Sequence, residues 1–211
     1  MISIFSTSHC KKKGFTLVEL LVSLGIMVTI LTLVLSNQSK YTEGTALTGL
    51  ADDISLDLLQ AQTYGVSVRE FAPGTEEFDA AYGVSLNLIP QGGNSTYIYF
   101  ADRGVKNKIY DSGLTCPIDA SSECIKKNTV LRGNVISGLC YILKNGQEQC
   151  NLGRIDITYL RPDTKANIIF FGQNGSVLNT PNAIAARINI ASPSRATRSI
   201  YVYKSGQISV R

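Results

Sequence analysis

The residues best suited to chemistry in this chain lie near its N-terminus, in the stretch KKKGFTLVELL from Lys11 to Leu21. Glu19 is the single charge inside a long apolar run, and a charge in hydrocarbon costs roughly 2.5–3.5 kcal/mol. A cut after Gly14 would create an α-amino group on Phe15, four residues from Glu19. Because that amine and the carboxylate have opposite charges, we expect Glu19 of one subunit to neutralise the amine of a neighbour and to fix its axial register.

The apolar run, Phe15 to Leu35, is long enough to cross a bilayer. It holds 21 residues with one charge, and a helix of that length spans roughly 30 Å. The preceding lysines favour a cytoplasmic N-terminus, with the rest of the chain outside. Two alternatives stay open: a buried helix of a soluble domain, and a secretory signal peptide, although no clear A-x-A site follows the run. For Glu19, the alternative is a carboxylate that snorkels to the membrane edge.

Composition argues against several classes of function. The chain has 211 residues, 44% of them apolar, which fits one globular domain plus an extension. The single histidine, His9, precedes the apolar run, so none follows for a Ser-His-Asp or Cys-His mechanism. The net charge is +4, including the three lysines at 11–13, and a general nucleic-acid binder should be more basic. No phosphate-binding glycine loop, paired-carboxylate motif or dinucleotide fingerprint stands out. We expect no catalytic residue, no cofactor and no metal.

The N-terminal stretch resembles the signature of type IV pilins and type II secretion pseudopilins. A basic leader, G-F-T-L-x-E-L and a long apolar helix follow one another in the order typical of that family. The resemblance implies that a prepilin peptidase cuts between Gly14 and Phe15 and methylates the new amine of Phe15. It implies that Glu19 supports methylation and subunit docking, and that other pilins and an inner-membrane assembly platform are the partners.

One departure from the family pattern favours a minor subunit. Many major subunits carry a proline in the first half of the mature helix, where this chain has Ser36. No proline occurs before Pro73.

Beyond the apolar run, the pattern predicts an α+β fold, with one long helix packed on a C-terminal antiparallel β-sheet domain. The helix is expected from Thr16 to about Tyr64. Its buried face should carry apolar residues that recur every three or four positions, and three aspartates should lie mostly off that face. The apolar residues are Leu47, Leu50, Ile54, Leu58 and Ala61, and the aspartates are Asp52, Asp53 and Asp57.

Short stretches with strand composition follow a loop, FAPGTEEF, that begins at Phe71. Glycine-containing turns at PQGGNS, QNG and KSG separate some of them. The predicted strands are residues 82–89, 96–101, 129–136, 154–160, 167–171, 176–178, 186–192, 199–203 and 207–211. The expected organisation is a leader (1–14), a transmembrane and filament-core helix (15–35), an amphipathic continuation (36–65) and an extracytoplasmic β-rich domain (66–211).

Two later stretches resemble the H-type minor pseudopilins and the FimT-like pilus proteins. In these proteins a helix ending LxxAxxxGV precedes a β-rich domain, as LLQAQTYGV does here from Leu58 to Val66. They also close with a strand, a tight glycine turn and a last short strand, matched by RSIYVYKSGQISV. The resemblance implies a subunit that helps to initiate or specialise a filament.

Four of the five cysteines are expected to form disulfides. Cys10 belongs to the leader, which leaves an even number in an exported domain. Three connectivities are open, of which we favour the sequential one, Cys116–Cys124 and Cys140–Cys150. A zinc site is the functional rival, but its usual C-x₂₋₄-C spacing is missing.

Arg195 and Arg198 provide a second hypothesis, because some FimT-like proteins bind DNA through C-terminal arginines. Phosphate contacts need only positioned cations. A solvated loop is the simpler interpretation, so nucleic acid is not the expected partner. The favoured function is therefore a non-enzymatic, pilin-like subunit of a pseudopilus or pilus at the bacterial inner membrane. The alternatives are a DNA-uptake pilin and a single-pass membrane protein of another role.

Overall fold

The structure is a computed structural model that describes residues 14–67, 71, 78–117 and 122–211. The chain divides into two compact units between Tyr41 and Thr42. Helix α1 (Leu17–Val66) occupies residues of both units, and the described part of the second unit holds ten strands. The fold is α+β, as the sequence predicts. The predicted leader, apart from its last residue, lies outside the described residues, as does most of the predicted loop after Phe71.

Helix α1 begins one residue after its predicted start and ends two residues after its predicted end. No proline interrupts it, since the first proline of the chain is Pro73. Its apolar stripe in the second unit is confirmed, because every predicted member is buried: Leu47, Leu50, Ile54, Leu58 and Ala61. This stripe joins the main core of the β domain.

Asp57 is buried, although the sequence predicts that it lies on the polar face of the helix. Asp52 and Asp53 are exposed as expected, whereas Asp57 is only 8% exposed. Its Oδ2 accepts hydrogen bonds from the Tyr97 hydroxyl (2.9 Å) and from Asn128 Nδ2 (2.8 Å). The buried sector is wider than the apolar stripe because two strands cover the adjacent helix position and supply donors to its carboxylate.

The antiparallel β-sheet domain that the sequence predicts consists of two five-stranded sheets. Sheet A has the order β3-β2-β1-β6-β7, and sheet B has the order β10-β9-β8-β4-β5. Apolar residues of α1 and of both sheets form one core. The strands are β1 (Ala81–Asn87), β2 (Thr96–Asp102), β3 (Cys124–Thr129), β4 (Val135–Leu143), β5 (Glu148–Cys150), β6 (Arg154–Tyr159), β7 (Asn167–Phe171), β8 (Ala183–Ala191), β9 (Thr197–Tyr203) and β10 (Ile208–Val210).

Two predicted strands are wrong. Residues 129–136 contain the turn between β3 and β4, where Arg132 and Gly133 have φ angles of 58° and 71°. Two consecutive residues in the left-handed region interrupt the extended backbone that a strand requires. Thr129 therefore ends β3, and Val135 begins β4. Residues 176–178 form no strand, because Val177 makes only an isolated bridge with Phe171.

A second, smaller core covers the other face of sheet A. Ile98 and Phe100 of β2 pack there with Tyr110, which lies in the connection between β2 and β3. The rings of Phe100 and Tyr110 are 5.3 Å apart between centroids. This second layer explains why every residue of β1 is buried, since a sheet with one solvated face would alternate buried and exposed residues.

Gly65 allows the end of α1 to approach β6 closely. A Cβ built on Gly65 would lie 2.3 Å from the carbonyl oxygen of Tyr159, which is backbone and cannot move aside cheaply. We expect Gly65→Ala to lower the free energy of unfolding by about 1–3 kcal/mol, as overpacking does. Thermal or urea unfolding of the full chain in detergent, followed by circular dichroism, measures the change.

Gly49 in the same helix is the matched control. A Cβ there meets nothing within 4 Å, so Gly49→Ala should raise the free energy of unfolding by roughly 0.5–1 kcal/mol through helix propensity. Equal effects of the two substitutions would contradict the close-approach role of Gly65.

Candidate functional site

The start of α1 is fixed by Thr16. Its Oγ1 accepts a hydrogen bond from the backbone N–H of Glu19 at 3.2 Å, and its carbonyl accepts one from Leu20 N–H at 3.1 Å. Thr16 is therefore the N-cap, and Glu19 holds the third helical position, the T-x-x-E spacing of a capping box. Gly14 and Phe15 precede the helix and are exposed. The predicted cleavage point consequently lies in non-helical backbone, whereas Glu19 lies in the first helical turn.

The stretch Leu17–Leu35 is long and apolar enough to span a membrane. All of its side chains are exposed in the structure. Its three hydroxyl groups bond to carbonyl oxygens of their own helix: Ser23 to Leu20 (2.9 Å), Thr29 to Ile26 (2.8 Å) and Thr32 to Val28 and Thr29 (3.0 and 2.8 Å). Polar groups satisfied within the helix can face lipid or an apolar neighbour without a partner.

The Glu19 carboxylate differs from these hydroxyls. Within the described residues of the span, it is the one polar side chain for which the structure shows no hydrogen bond or ion pair. Its position near the helix N-terminus is electrostatically favourable, because the macrodipole places positive charge there. That interaction leaves the lone pairs of the carboxylate without a hydrogen-bond donor within the described chain.

A buried ion pair, which the sequence analysis missed, anchors the connection between β2 and β3 to sheet A. Asp156 is fully buried in β6 and accepts hydrogen bonds from Arg154 Nε (2.9 Å), Ser85 Oγ (2.6 Å) and the backbone N–H of Tyr110 (3.1 Å). Arg154 Nη2 donates to Oδ2 of Asp156 and to the carbonyl oxygen of Tyr110. Burial raises the pKa of Asp156, while Arg154 and the other donors oppose that rise.

Two further carboxylates hold the same connection. Asp102 Oδ2 accepts the N–H of Lys108 at 2.7 Å, and Glu123 Oε2 accepts the N–H of Asp111 at 2.9 Å. Burial raises the pKa of both acids. Since each carboxylate binds backbone N–H groups, the arrangement is suited to fixing a loop. In the described parts of the chain, no group of three or more Asp, Glu, His or Cys side chains could hold a metal ion.

In the described residues, four cysteines form two disulfides in the sequential pairing. One joins Cys116 to Cys124 at the start of β3, and the other joins Cys140 of β4 to Cys150 of β5. The second crosses a ladder, because Cys140 and Cys150 are paired in register. With these four sulfurs in disulfides, none is available as a thiolate ligand for the rival zinc site.

The arginines predicted to contact DNA lie at the surface of sheet B. Arg195 occupies the turn between β8 and β9 with a φ angle of 66°, and Arg198 lies in β9. Both are exposed, and in the described chain neither forms an ion pair. Exposed cations of this kind are common, so the DNA contact stays a prediction.

Comparison with known proteins gives one match, which falls on the N-terminal segment. The family model of the prokaryotic N-terminal methylation motif matches residues 9–35. No curated protein and no solved structure matches the chain significantly.

The matched segment supports the class of type IV pilin-like or pseudopilin precursors. It contains Gly14, Phe15, the N-cap Thr16 and the unsatisfied Glu19. Proteins of this class are structural subunits that a prepilin peptidase processes and that assemble with other pilins. The apolar helix and the motif together fit a protein anchored by a single membrane pass.

Proposed function

We propose that this chain is a minor, H-type (FimT-like) subunit of a type II secretion pseudopilus or a type IV pilus. Prepilin peptidase cuts between Gly14 and Phe15, and Phe15 is N-methylated. The mature helix then rests in the bacterial inner membrane with its N-terminus on the cytoplasmic side. An assembly platform extracts it into a helical filament, and the β domain, residues 66–211, is displayed outward.

One observation supports this proposal: among the described residues, Glu19 is the one polar side chain of the span without a hydrogen bond or ion pair, whereas the hydroxyl groups bond within the helix. A carboxylate kept in hydrocarbon at a cost of roughly 2.5–3.5 kcal/mol needs a compensating interaction. In the assembled filament the amine of a neighbouring Phe15 supplies it. We assign the pairing to neighbouring subunits because an ion pair between them also fixes their axial register.

Intact mass spectrometry of the protein from membranes of a prepilin-peptidase-positive host tests the proposal. We expect a chain that begins at Phe15 and carries one added methyl group. Gly14→Val is the matched variant, since a Cβ at Gly14 meets nothing within 4 Å in this protein. The described residues thus leave room for a side chain at this position, and we expect the uncut precursor to accumulate because that side chain obstructs the peptidase. A wild-type chain that still begins at Met1 would rule out the filament mechanism.

A further inference from the structure

The two disulfides lie in different chemical environments. Cys140 is fully buried in β4, whereas Cys150 is exposed on β5 at the edge of sheet B. An external thiolate must approach one sulfur along the S–S axis. Exposure makes Cys150 the sulfur that can be attacked and Cys140 the sulfur that leaves.

Two N–H donors lie against the sulfur that would leave. Arg187 Nη2 is 3.7 Å from Sγ of Cys140 and 3.7 Å from Sγ of Cys150, and Asn189 Nδ2 is 3.6 Å from Sγ of Cys140. Register explains the arrangement, because Arg187 of β8 pairs directly with Cys140 of β4. The hydrogen bonds from both donors to a neutral disulfide are weak, and their hydrogen bonds to a thiolate would be much stronger.

Glu148 fixes the guanidinium in this position. Its Oε2 lies 2.6 Å from Arg187 Nη1, which leaves Nη2 directed at the sulfurs. Among the described residues, no comparable N–H donor lies against either sulfur of Cys116–Cys124, and both of those cysteines are half-buried. Cys140–Cys150 therefore has N–H donors that can stabilise a released thiolate, and within the described residues Cys116–Cys124 has none.

We propose that Cys140–Cys150 is a thiol–disulfide exchange site for an extracytoplasmic dithiol. A thiolate of the dithiol attacks Sγ of Cys150 and forms a mixed disulfide, while the Cys140–Cys150 bond breaks. The electron pair of that bond stays on Sγ of Cys140, where Arg187 and Asn189 stabilise the thiolate. The second thiol of the reagent gives its proton to water and attacks the reagent's own sulfur in the mixed disulfide. That sulfur's bond to Sγ of Cys150 breaks, Cys150 leaves as a thiolate that takes up a proton from water, and the reagent departs as the oxidised dithiol.

The structural consequence of exchange falls on one edge of sheet B. Strand β5 has three residues and pairs with β4 alone in the described chain. The disulfide connects those two strands directly, so its reduction releases the edge strand from its covalent attachment. The exchange chemistry does not depend on filament assembly, since the leader and Glu19 play no part in it, but the extracytoplasmic location of the dithiol rests on the proposed membrane orientation.

The test is the rate at which dithiothreitol opens each disulfide in the oxidised full-length protein in detergent. Samples are quenched with acid, alkylated and mapped by peptide mass spectrometry. We expect Cys140–Cys150 to open at least about tenfold faster than Cys116–Cys124. A monothiol such as glutathione should be trapped on Cys150. Equal rates, earlier opening of Cys116–Cys124, or glutathione trapped on Cys140 would overturn the proposal.

Variants separate the proposed stabilisation from simple exposure. Arg187→Gln and Asn189→Ala should each slow the opening of Cys140–Cys150 severalfold, and Arg187→Lys should restore part of the rate because it keeps the charge. Arg198→Gln, an exposed arginine on the neighbouring strand, is the control and should change nothing. In Cys10→Ser/Cys150→Ser protein, the thiolate absorbance of Cys140 at pH 7 should fall when Arg187→Gln is added. Unchanged rates and unchanged thiolate absorbance in the Arg187→Gln proteins would refute the role of this residue.

Discussion

Glu19→Gln is expected to abolish incorporation of the subunit into filaments while leaving cleavage after Gly14 intact. Glutamine keeps the size of the side chain and most of its hydrogen-bonding capacity, but it cannot neutralise an ammonium group. The N-cap bond also survives, because Thr16 Oγ1 binds the backbone N–H of residue 19. Removing one partner of a buried charge pair costs about 2–5 kcal/mol. The assembled fraction should therefore fall at least about thirtyfold.

The measurement is an immunoblot of sheared filaments against the membrane fraction in a host that carries the cognate assembly system. Ser23→Ala is the matched control, since the Ser23 hydroxyl already bonds to the Leu20 carbonyl at 2.9 Å in the same helix. We expect that variant to assemble like the wild type. Normal assembly of Glu19→Gln, or an equal loss with Ser23→Ala, would disprove the charge pairing that we propose.

The sequence predicts Glu19 as an unusual residue because the signal is local. One carboxylate within an apolar run is visible without knowledge of any tertiary contact. The buried stripe of α1 is predictable for the same reason, since helical periodicity alone places Leu47, Leu50 and Ile54 on one face. The N-cap Thr16 has a local signature too, the T-x-x-E spacing, and could have been identified from the sequence.

Burial of polar residues by distant elements could not be predicted in this way. Asp57 is covered by Tyr97 and Asn128, which lie 40 and 71 residues away in sequence. In RIDITYL, Asp156 alternates with Ile155 and Ile157, the pattern of a strand with one solvated face. The connection between β2 and β3 folds over that face, so the aspartate is buried there instead.

Most of β3 and β4 and all of β5 lie outside the predicted strands. Strand β3, with the sequence CIKKNT, lies at the edge of sheet A and is largely exposed, so hydrophobic alternation gives no signal for it. Charged residues at a sheet edge protect it from pairing with other chains, which is why such a strand looks like a loop in sequence. The turn at Arg132 and Gly133 was missed because the apolar residues on both sides suggest one uninterrupted strand.

Arg154→Ala should produce the largest loss of stability in the β domain. It would leave Asp156 buried without its cationic partner, and breaking a buried ion pair from one side costs about 3–5 kcal/mol. The Arg154 side chain is only 12% exposed, so solvent cannot replace it readily. It also donates to the Tyr110 carbonyl, so the connection between β2 and β3 should loosen as well. Arg198→Ala, which removes an exposed arginine, should change the free energy of unfolding by less than about 0.5 kcal/mol.

The pH dependence of this loss separates an unpaired charge from lost packing. Burial raises the folded-state pKa of Asp156, and Arg154 opposes that rise, so the Arg154→Ala variant should have a still higher folded pKa. An acid whose pKa is higher in the folded than in the unfolded state binds its proton more tightly when folded, so its contribution to the free energy of unfolding grows as the pH falls through the folded pKa toward the unfolded value. The stability deficit relative to wild type should therefore shrink when urea unfolding is measured at pH 5 instead of pH 7. A deficit that stays constant or widens on acidification would mean that Arg154 acts through packing and not by compensating the charge of Asp156.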